Sequence, residues 1–493
     1  MIRELQVLFS KVWTTEKAPS SCRKSVVVPI FKKGPRSDCA NHRGISLIPV
    51  VPKLLASTLL RRISKTREEL TREEQAAFRA GRGCMDQIFT LRQLLEHRNA
   101  YQRPTIVVFL DIRAAFDSVD RSALWNCLSR NGVPAKYISI LKALYQRTSG
   151  RVRAYGQLSP PFVVSSGVRQ GCPISPFLFN FAIDDVLRNT FSGLTSCGIE
   201  LLPGNRVTDL EYADDIALLG ESAQAMQTVL NRMAIEVSQF GMCFAPSKCK
   251  VLLQDWQEPV PVITLNGDRL NVVDNFVYLG SNIAAGGGVG DEISSRIAKA
   301  RLAFANLRHL WRRRDIRLSL KGRVYKATVR SVLLYGCETW PLRAEDARRL
   351  SVFDHRCLRS IARIRWQHRV SNDEVRRRVL GIDSRPLTEV ITAHRLRWLG
   401  HVLRMPAHRL PYRSLFATPG HGWKKRRGGQ SMTWRRGMKK LSAALASVGP
   451  SRLPGWGTRD PECRWLETLR DMAQNRSQWR ECCSAVQTNA RDP

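Results

Sequence analysis

This chain reads as an α/β (α+β) protein. Short apolar runs alternate with amphipathic helical stretches up to about residue 285, and past a glycine-rich joint the pattern turns helical and arginine-rich. With 493 residues, 43% apolar and 25% charged, it can bury a sizeable core and divides into two to four domains. No run approaches the roughly 20 apolar residues that span a bilayer. The opening MIRELQVLFSKVW mixes charges into its apolar residues and has no secretory apolar run, so an intracellular chain is expected.

Charge narrows the class of partner. Lys and Arg total 79 against 42 Asp and Glu, a net charge of +37. Such a field favours polyanions, nucleic acid above all, and no single basic amphipathic helix stands out for a membrane surface. The 13 cysteines include no Cys-x-x-Cys, so no tight zinc knuckle or thioredoxin-type motif is expected, and free thiols are the default.

The elements follow in order. SVVVPIF (25–31) predicts a short strand, then a basic turn, KKGPRSDCANHRG. VPKLLASTLLRRISKTREEL and DQIFTLRQLLEHR have helical spacing. The β-branched run TIVVFL (105–110) predicts a buried strand ending at Asp111, and the helix after it stops near Asn131-Gly132. A glycine-rich turn in SGVRQGCPIS leads into a helix from about Ser175. VTDLEYADDIALLG reads as a hairpin with Asp214 and Asp215 at its turn, and ESAQAMQTVLNRMAIEVSQFG as a helix ending at Gly241. VITLNGDRL carries an Asn-Gly turn signal, and NFVYLGSNI adds a further strand. AAGGGVGD (284–291) is expected to be a flexible joint; basic helices follow to about 410, and a loosely ordered tail after that.

Adjacent carboxylates repel, so Asp214 and Asp215 between apolar runs need a reason. If their hairpin neighbours the strand that ends at Asp111, three carboxylates converge at one sheet edge. Divalent cations would remove the cost: oxygen ligands suit Mg²⁺, and paired ions roughly 3.5–4 Å apart stabilise the attacking and leaving oxygens of an in-line displacement. A lone Tyr-Ala-Asp-Asp would more often be a solvated turn; the motifs around it decide otherwise.

Those motifs resemble the reverse transcriptases of non-LTR (LINE-type) retrotransposons. VVVPIFKKGPRSDCANHRGISLIPVVPKLL and QAAFRAGRGCMDQIFTLRQ are similar to that family's fingers blocks. FLDIRAAFDSVDR resembles its first-aspartate motif, GVRQGCPISPFLFNFAIDD its substrate-binding loop and helix, and LEYADDIALL its catalytic hairpin. GMCFAPSKCKVL and FVYLGSNI resemble the lysine motif and the primer-gripping hairpin. The blocks stand in family order over about residues 5–285, and the resemblance continues more weakly to about 410.

The resemblance implies a right-hand polymerase: fingers (1–105), a palm with an antiparallel sheet (106–283), a helical thumb (284–336), a basic helical region (337–410) and a tail (411–493). It implies an RNA-directed DNA polymerase taking an RNA template, a DNA primer and dNTPs, with two Mg²⁺ ions, for which Mn²⁺ can substitute. Asp111, Asp214 and Asp215 are the implied catalytic metal ligands, and Lys248 stands near the leaving pyrophosphate. Arg43, Phe116, Arg169, Gln170 and Gly171 are implied for nucleotide binding, Phe116 as the aromatic that excludes a ribose 2′-OH. Tyr278, Leu279 and Gly280 form the primer grip. Arg296, Arg301, Arg308, Arg312, Arg313 and Arg314, with Trp311 nearby, are expected along the nucleic acid.

For Lys32 and Lys33 a solvated basic turn is the stronger reading, and for Asp117 a helix start. Cys337, Cys357, His394 and His401 have the residue types of a zinc site but spacing too wide for a knuckle. KKRR (424–427) has the composition of a nuclear import signal or a phosphate contact, which makes a nuclear stage the expectation. Ala77, Cys84 and Ala245 depart from residues common in the family. Complete LINE-type proteins carry an endonuclease before the polymerase. This chain begins almost at the fingers, so a separate endonuclease and a fragment or truncated copy are expected. Two other readings stay open: an RNA-dependent RNA polymerase, and a decayed copy that only binds nucleic acid.

Overall fold

A computed structural model describes residues 2–489 apart from 196, 203, 258, 383, 429–431 and 449–450. At its centre is the strand Thr105–Leu110, buried along its whole length. Its side chains alternate between two cores, as a period-2 element must. Ile106, Val108 and Leu110 enter one, while Val107 and Phe109 enter the other. Covering both faces is what a continuous β-branched run requires.

The strand order is 271–272, 250–254, 105–110, 215–220, 209–212. The central strand pairs antiparallel with Asp215–Gly220 on one side and Lys250–Gln254 on the other. Helices Ser175–Phe191 and Ala223–Gln239 cover one face through Leu178, Ala182, Val186, Leu230 and Met233. Helix Cys84–Ala100 covers the other through Leu91, Leu94 and Leu95. A second sheet is built on Lys24–Phe31, antiparallel to His42–Leu47 and parallel to Thr148–Ala154. The Asn-Gly signal marks a small hairpin, Thr264–Leu265 with Asp268–Arg269, whose turn residues Asn266 and Gly267 both have positive φ.

Residues 284–291 are not a free joint. The hairpin Asn275–Ala284 runs into helix Gly290–Asn306 across a short turn. Buried charges then lock the helix to the hairpin. Glu292 accepts hydrogen bonds from Ser281 Oγ (3.2 Å) and Asn282 N (2.6 Å), and Arg92 donates to Asn282 O (2.8 Å). Beyond it, one apolar core runs from Val289 to Ile391, so no core boundary falls at residue 336. Helices there approach closely: a Cβ at Gly322 would lie 1.9 Å from Val379 O.

The tail corrects the expectation of loose order. Helices Trp434–Leu441, Arg464–Gln474 and Arg476–Asn489 surround a core containing Trp434, Trp465 and Trp479. A composition rich in Gly, Pro and Arg hid this because the tail's tryptophans, leucines and methionines are spread among those residues and meet only in the packed core. Trp434 packs edge-on against Phe89 of helix Cys84–Ala100, ring centroids 4.8 Å apart. Its backbone N–H donates to Glu96 Oε2 at 2.7 Å and its indole Nε1 to Glu338 O at 2.7 Å. Among the described residues no helix is long and apolar enough to cross a membrane.

Glu96 is a pH-dependent link in that docking. Burial pushes its carboxyl up to about 7, opposed by the Trp434 N–H and by Arg92. The unfolded chain ionises from about 4.5, so stability from this site is full below that pH and declines as pH rises through about 7. Glu96→Gln keeps an acceptor for Trp434 without the charge. Its melting temperature is expected to exceed wild type at pH 8 and to match it near pH 4, as thermal melts across that range will show.

Candidate active site

The hairpin 209–220 brings the aspartates together. Ile216 pairs with Leu110 and Asp215 with Tyr212, so Asp215 stands opposite Asp111 at the next register position, and Ala213–Asp214 form the two-residue turn. Ala213 adopts φ +59°, a conformation costly for a residue with a Cβ. Gln75 holds it there. The buried Gln75 Oε1 accepts from Ala213 N (3.1 Å), and its Nε2 donates to Glu211 Oε2 (2.9 Å).

Electrostatics at the turn are those of uncompensated negative charge. Burial raises the Asp214 pKa, its own backbone hydrogen bond lowers it, and Asp111 raises it further; Arg43 and Lys248 pull it down. Partial burial, then Asp214 and Asp111, push Asp215 up to about 6. Its surface is nonetheless exposed. Lys248 Nζ donates to Asp111 Oδ1 at 2.9 Å. Among the described residues, the aspartates do not form a group whose ligand atoms all lie within 4.8 Å of one another. They are three hard oxygen donors whose mutual repulsion the nearby cations leave partly unrelieved. That donor set fits a divalent cation with oxygen preference.

Beneath the turn lies a network that sequence reasoning missed. Asp209 and Glu211 are fully buried on the strand next to the catalytic one. Arg72 donates to Asp209 Oδ1 (2.7 Å) and Glu211 Oε1 (3.1 Å). Burial pushes Glu211 well up despite Arg72, with Asp209 and Asp184 adding to the rise. The signal was present: two acids at i, i+2 in an otherwise apolar strand demand a cation on that face.

The implied nucleotide residues divide. Arg43 is exposed and close enough to lower the pKa values of both Asp214 and Asp215. Phe116 stacks on Phe179, ring centroids 4.6 Å apart and 16° between planes. Gln170 and Gly171 pack under the fingers: Ser46 N donates to Gln170 O (2.7 Å), and a Cβ at Gly171, whose φ is +116°, would lie 2.6 Å from Ser46 O. Arg169 is not available to a nucleotide. It is buried and donates to Cys22 O (2.8 Å) and Leu144 O (2.6 Å), so it ties the loop to the fingers.

The turn Tyr278–Gly280, which the resemblance implies as a primer grip, is held from behind. Tyr278 is buried and its hydroxyl donates to Leu210 O (3.2 Å), joining this turn to the catalytic hairpin. Leu279 and Gly280 have positive φ, and Tyr335 donates to Leu279 O (2.8 Å). Arg296 is a second correction. It is buried, donates to Glu292 Oε1 (2.7 Å) and to Gly280 O, and lies over the Tyr335 ring, so it braces the turn and does not face nucleic acid. Arg301, Arg308, Arg312, Arg313 and Arg314 are exposed, Arg313 paired with Asp315. The four residues of the candidate zinc set do not converge: Cys357 lies by Asp354 and Tyr325, and His401 by Asp86 and Arg404. Cys337 and His394 do come together, with Glu338.

Arg169→Ala is expected to lower the urea midpoint, since it orphans two buried carbonyls at about 1–3 kcal/mol each. Arg43→Ala is expected to leave the midpoint unchanged. Paired denaturation curves distinguish the two arginines.

A family profile described as reverse transcriptase (RNA-dependent DNA polymerase) matches residues 30–283, just over half of the 493-residue chain. The chain is 27% identical over 282 residues to a Pol polyprotein of the type-2 retrotransposable element R2DM of Drosophila melanogaster, covering 55% of this chain and 26% of that protein. It is 25% identical over 373 residues to a probable RNA-directed DNA polymerase from transposon BS of the same organism, covering 72% of this chain and 40% of that protein. The chain therefore spans less than half the length of either relative. A structure of Candida tropicalis telomerase with a fragment of telomeric RNA aligns over 83% of this chain and 67% of its own at 12% identity and a TM-score of 0.43, too low to carry an argument. With its aspartates in register across a mixed α/β palm, the chain belongs to the reverse transcriptase family, in its non-LTR retrotransposon branch.

Proposed function

We propose that this chain is an RNA-directed DNA polymerase that adds dNTPs to a DNA primer 3′-OH on an RNA template. The observation that carries the reading is the register of Asp215 opposite Asp111, with Asp214 in the turn between strands. Asp111, Asp214 and Asp215 would hold two Mg²⁺ ions, or Mn²⁺ in their place. Bound divalent ions supply charge neutralisation at the attacking and leaving oxygens of phosphoryl transfer.

The chain's own groups do the rest by position. Arg43, exposed beside the aspartates, is placed to neutralise a triphosphate, to which a guanidinium offers a bidentate fork. Lys248 Nζ holds Asp111 in the absence of other partners and is placed to keep a proton near the departing pyrophosphate. Phe116, fixed by its stack on Phe179, is the aromatic assigned to exclude a ribose 2′-OH, which favours dNTPs over ribonucleotides. The turn at Tyr278–Gly280 seats the primer end. Exposed Arg301, Arg308, Arg312 and Arg314 follow the duplex backbone, in the domain plan of fingers, palm, thumb and basic extension. The KKRR stretch supports a nuclear stage.

Primer extension on an RNA template with Mg²⁺ tests this reading. Wild type is expected to incorporate dNTPs, and Asp214→Asn to lose at least about 10²–10³-fold, the loss typical of removing a group that stabilises developing charge. Should wild type extend no better than Asp214→Asn, the chain only binds nucleic acid. Should it prefer ribonucleotides, it is an RNA polymerase.

Binding of an RNA–DNA duplex is also expected to fall steeply with salt. Replacing Arg308, Arg312 and Arg314 with Ala should flatten the log–log slope by about 0.7–0.9 per lost phosphate contact. Fluorescence anisotropy across a salt series measures it.

A further inference from the structure

We propose that Cys337, Glu338 and His394 form a zinc site, separate from the aspartates of the palm. Their ligand atoms, a thiol sulfur, a carboxylate oxygen and an imidazole nitrogen, all lie within 4.8 Å of one another. Two come from the short turn Cys337–Thr339 and the third from helix Leu387–Leu403. The turn is rigid: it is entered through Gly336 at φ +80°, Thr339 Oγ1 donates to Gly336 O (2.8 Å), and Trp434 Nε1 fixes Glu338 O.

The local chemistry is incomplete without an ion. His394 Nδ1 and Glu338 Oε1 are 3.0 Å apart, while Glu338 Oε2 is buried with no hydrogen-bond partner. Cys337 is fully buried beside them, its thiol pushed up by burial and then by the Glu338 charge. Metal bonds of about 2.0–2.3 Å place tetrahedral ligands roughly 3.3–3.8 Å apart. The three groups thus need only a small adjustment, with two metal bonds replacing the Glu338–His394 hydrogen bond.

Sulfur and nitrogen donors select zinc over magnesium. Binding converts the Cys337 thiol to a thiolate and releases its proton to solvent, giving a site that is neutral overall: two negative ligands, one neutral imidazole and one Zn²⁺. Arg395 and Arg397 nearby favour the thiolate. Glu338 and His394 open on a cleft of about 620 Å³ that also meets Tyr335 and Gly336, so the fourth position is left to water.

The location gives the ion a task. Tyr335, two residues before Cys337, donates to Leu279 O of the primer-grip turn. A zinc ion would pin the segment carrying Tyr335 to helix Leu387–Leu403, and through Trp434 to the tail.

Zinc content of the 493-residue chain, purified in the Asp214→Asn background so that the palm carboxylates contribute less, tests the proposal. About one zinc ion per chain is expected, lost in Cys337→Ser and in His394→Ala but kept in Cys357→Ser. His394 is only half-buried, so its variant is expected to fold even if Cys337→Ser does not. Cobalt substituted for zinc should show a thiolate-to-metal charge-transfer band that Cys337→Ser abolishes, and added Zn²⁺ should raise the melting temperature of the parent but not of His394→Ala. Zinc content equal in the parent and His394→Ala, or a cobalt spectrum unchanged by Cys337→Ser, would overturn the site. Polymerase activity does not enter this readout, so the proposal stands or falls apart from the catalytic one.

Discussion

Carboxylate repulsion along one hairpin is the constraint around which the palm is arranged. Between residues 209 and 215 the chain places Asp209, Glu211, Asp214 and Asp215, with Asp111 brought alongside by strand pairing. The buried pair is handled within the protein: Arg72, reaching in after the end of helix Val50–Leu70, hydrogen-bonds both acids, and burial pushes the Glu211 carboxyl well up towards its neutral form. The exposed pair is not: Arg43 and Lys248 moderate it, and Asp215 still sits near 6. Negative charge is thus cancelled below the sheet edge and left available above it. Breaking the Arg72 contacts would strand buried charge, a far larger penalty than losing a surface pair.

The same logic couples the palm to the helical region after it. Arg92, Glu292 and Arg296 are buried together, and each has its polar atoms directed at the backbone or side chains of Gly280, Ser281 and Asn282. Buried charges hydrogen-bonded in this way tolerate few alternative geometries, so the turn Tyr278–Gly280 inherits its position from helices on either side of it. Tyr278, bonded to Leu210 O, carries that fixation across to the catalytic hairpin. Geometry at the turn and geometry at the aspartates are therefore one problem in this chain.

The tail belongs to the same body. Trp434 bridges Phe89, Glu96 and Glu338, which lie on helix Cys84–Ala100 and on the turn Cys337–Thr339. Large aromatic surfaces with one polar handle can organise a segment otherwise rich in Gly and Arg, because each buries much area and still needs a fixed acceptor.

Consecutive residues alone were enough to read the alternation of elements, the buried strand 105–110, the hairpin around Asp214 and the motif order that identifies the family. These are local: periodicity, turn chemistry and spacing are written in consecutive residues. The sequence also showed that the chain is basic, but not which arginines are free. Tertiary structure decided that Arg169 and Arg296 are braces while Arg43 is open, because burial depends on segments more than a hundred residues apart, such as Arg169 with Cys22. It decided that Gln75 and Arg72 stand beneath the catalytic turn, and that Cys337 meets His394 and not Cys357. Contacts of that kind follow from packing, where a side chain's partner is whichever group the folded chain brings within reach of its polar atoms.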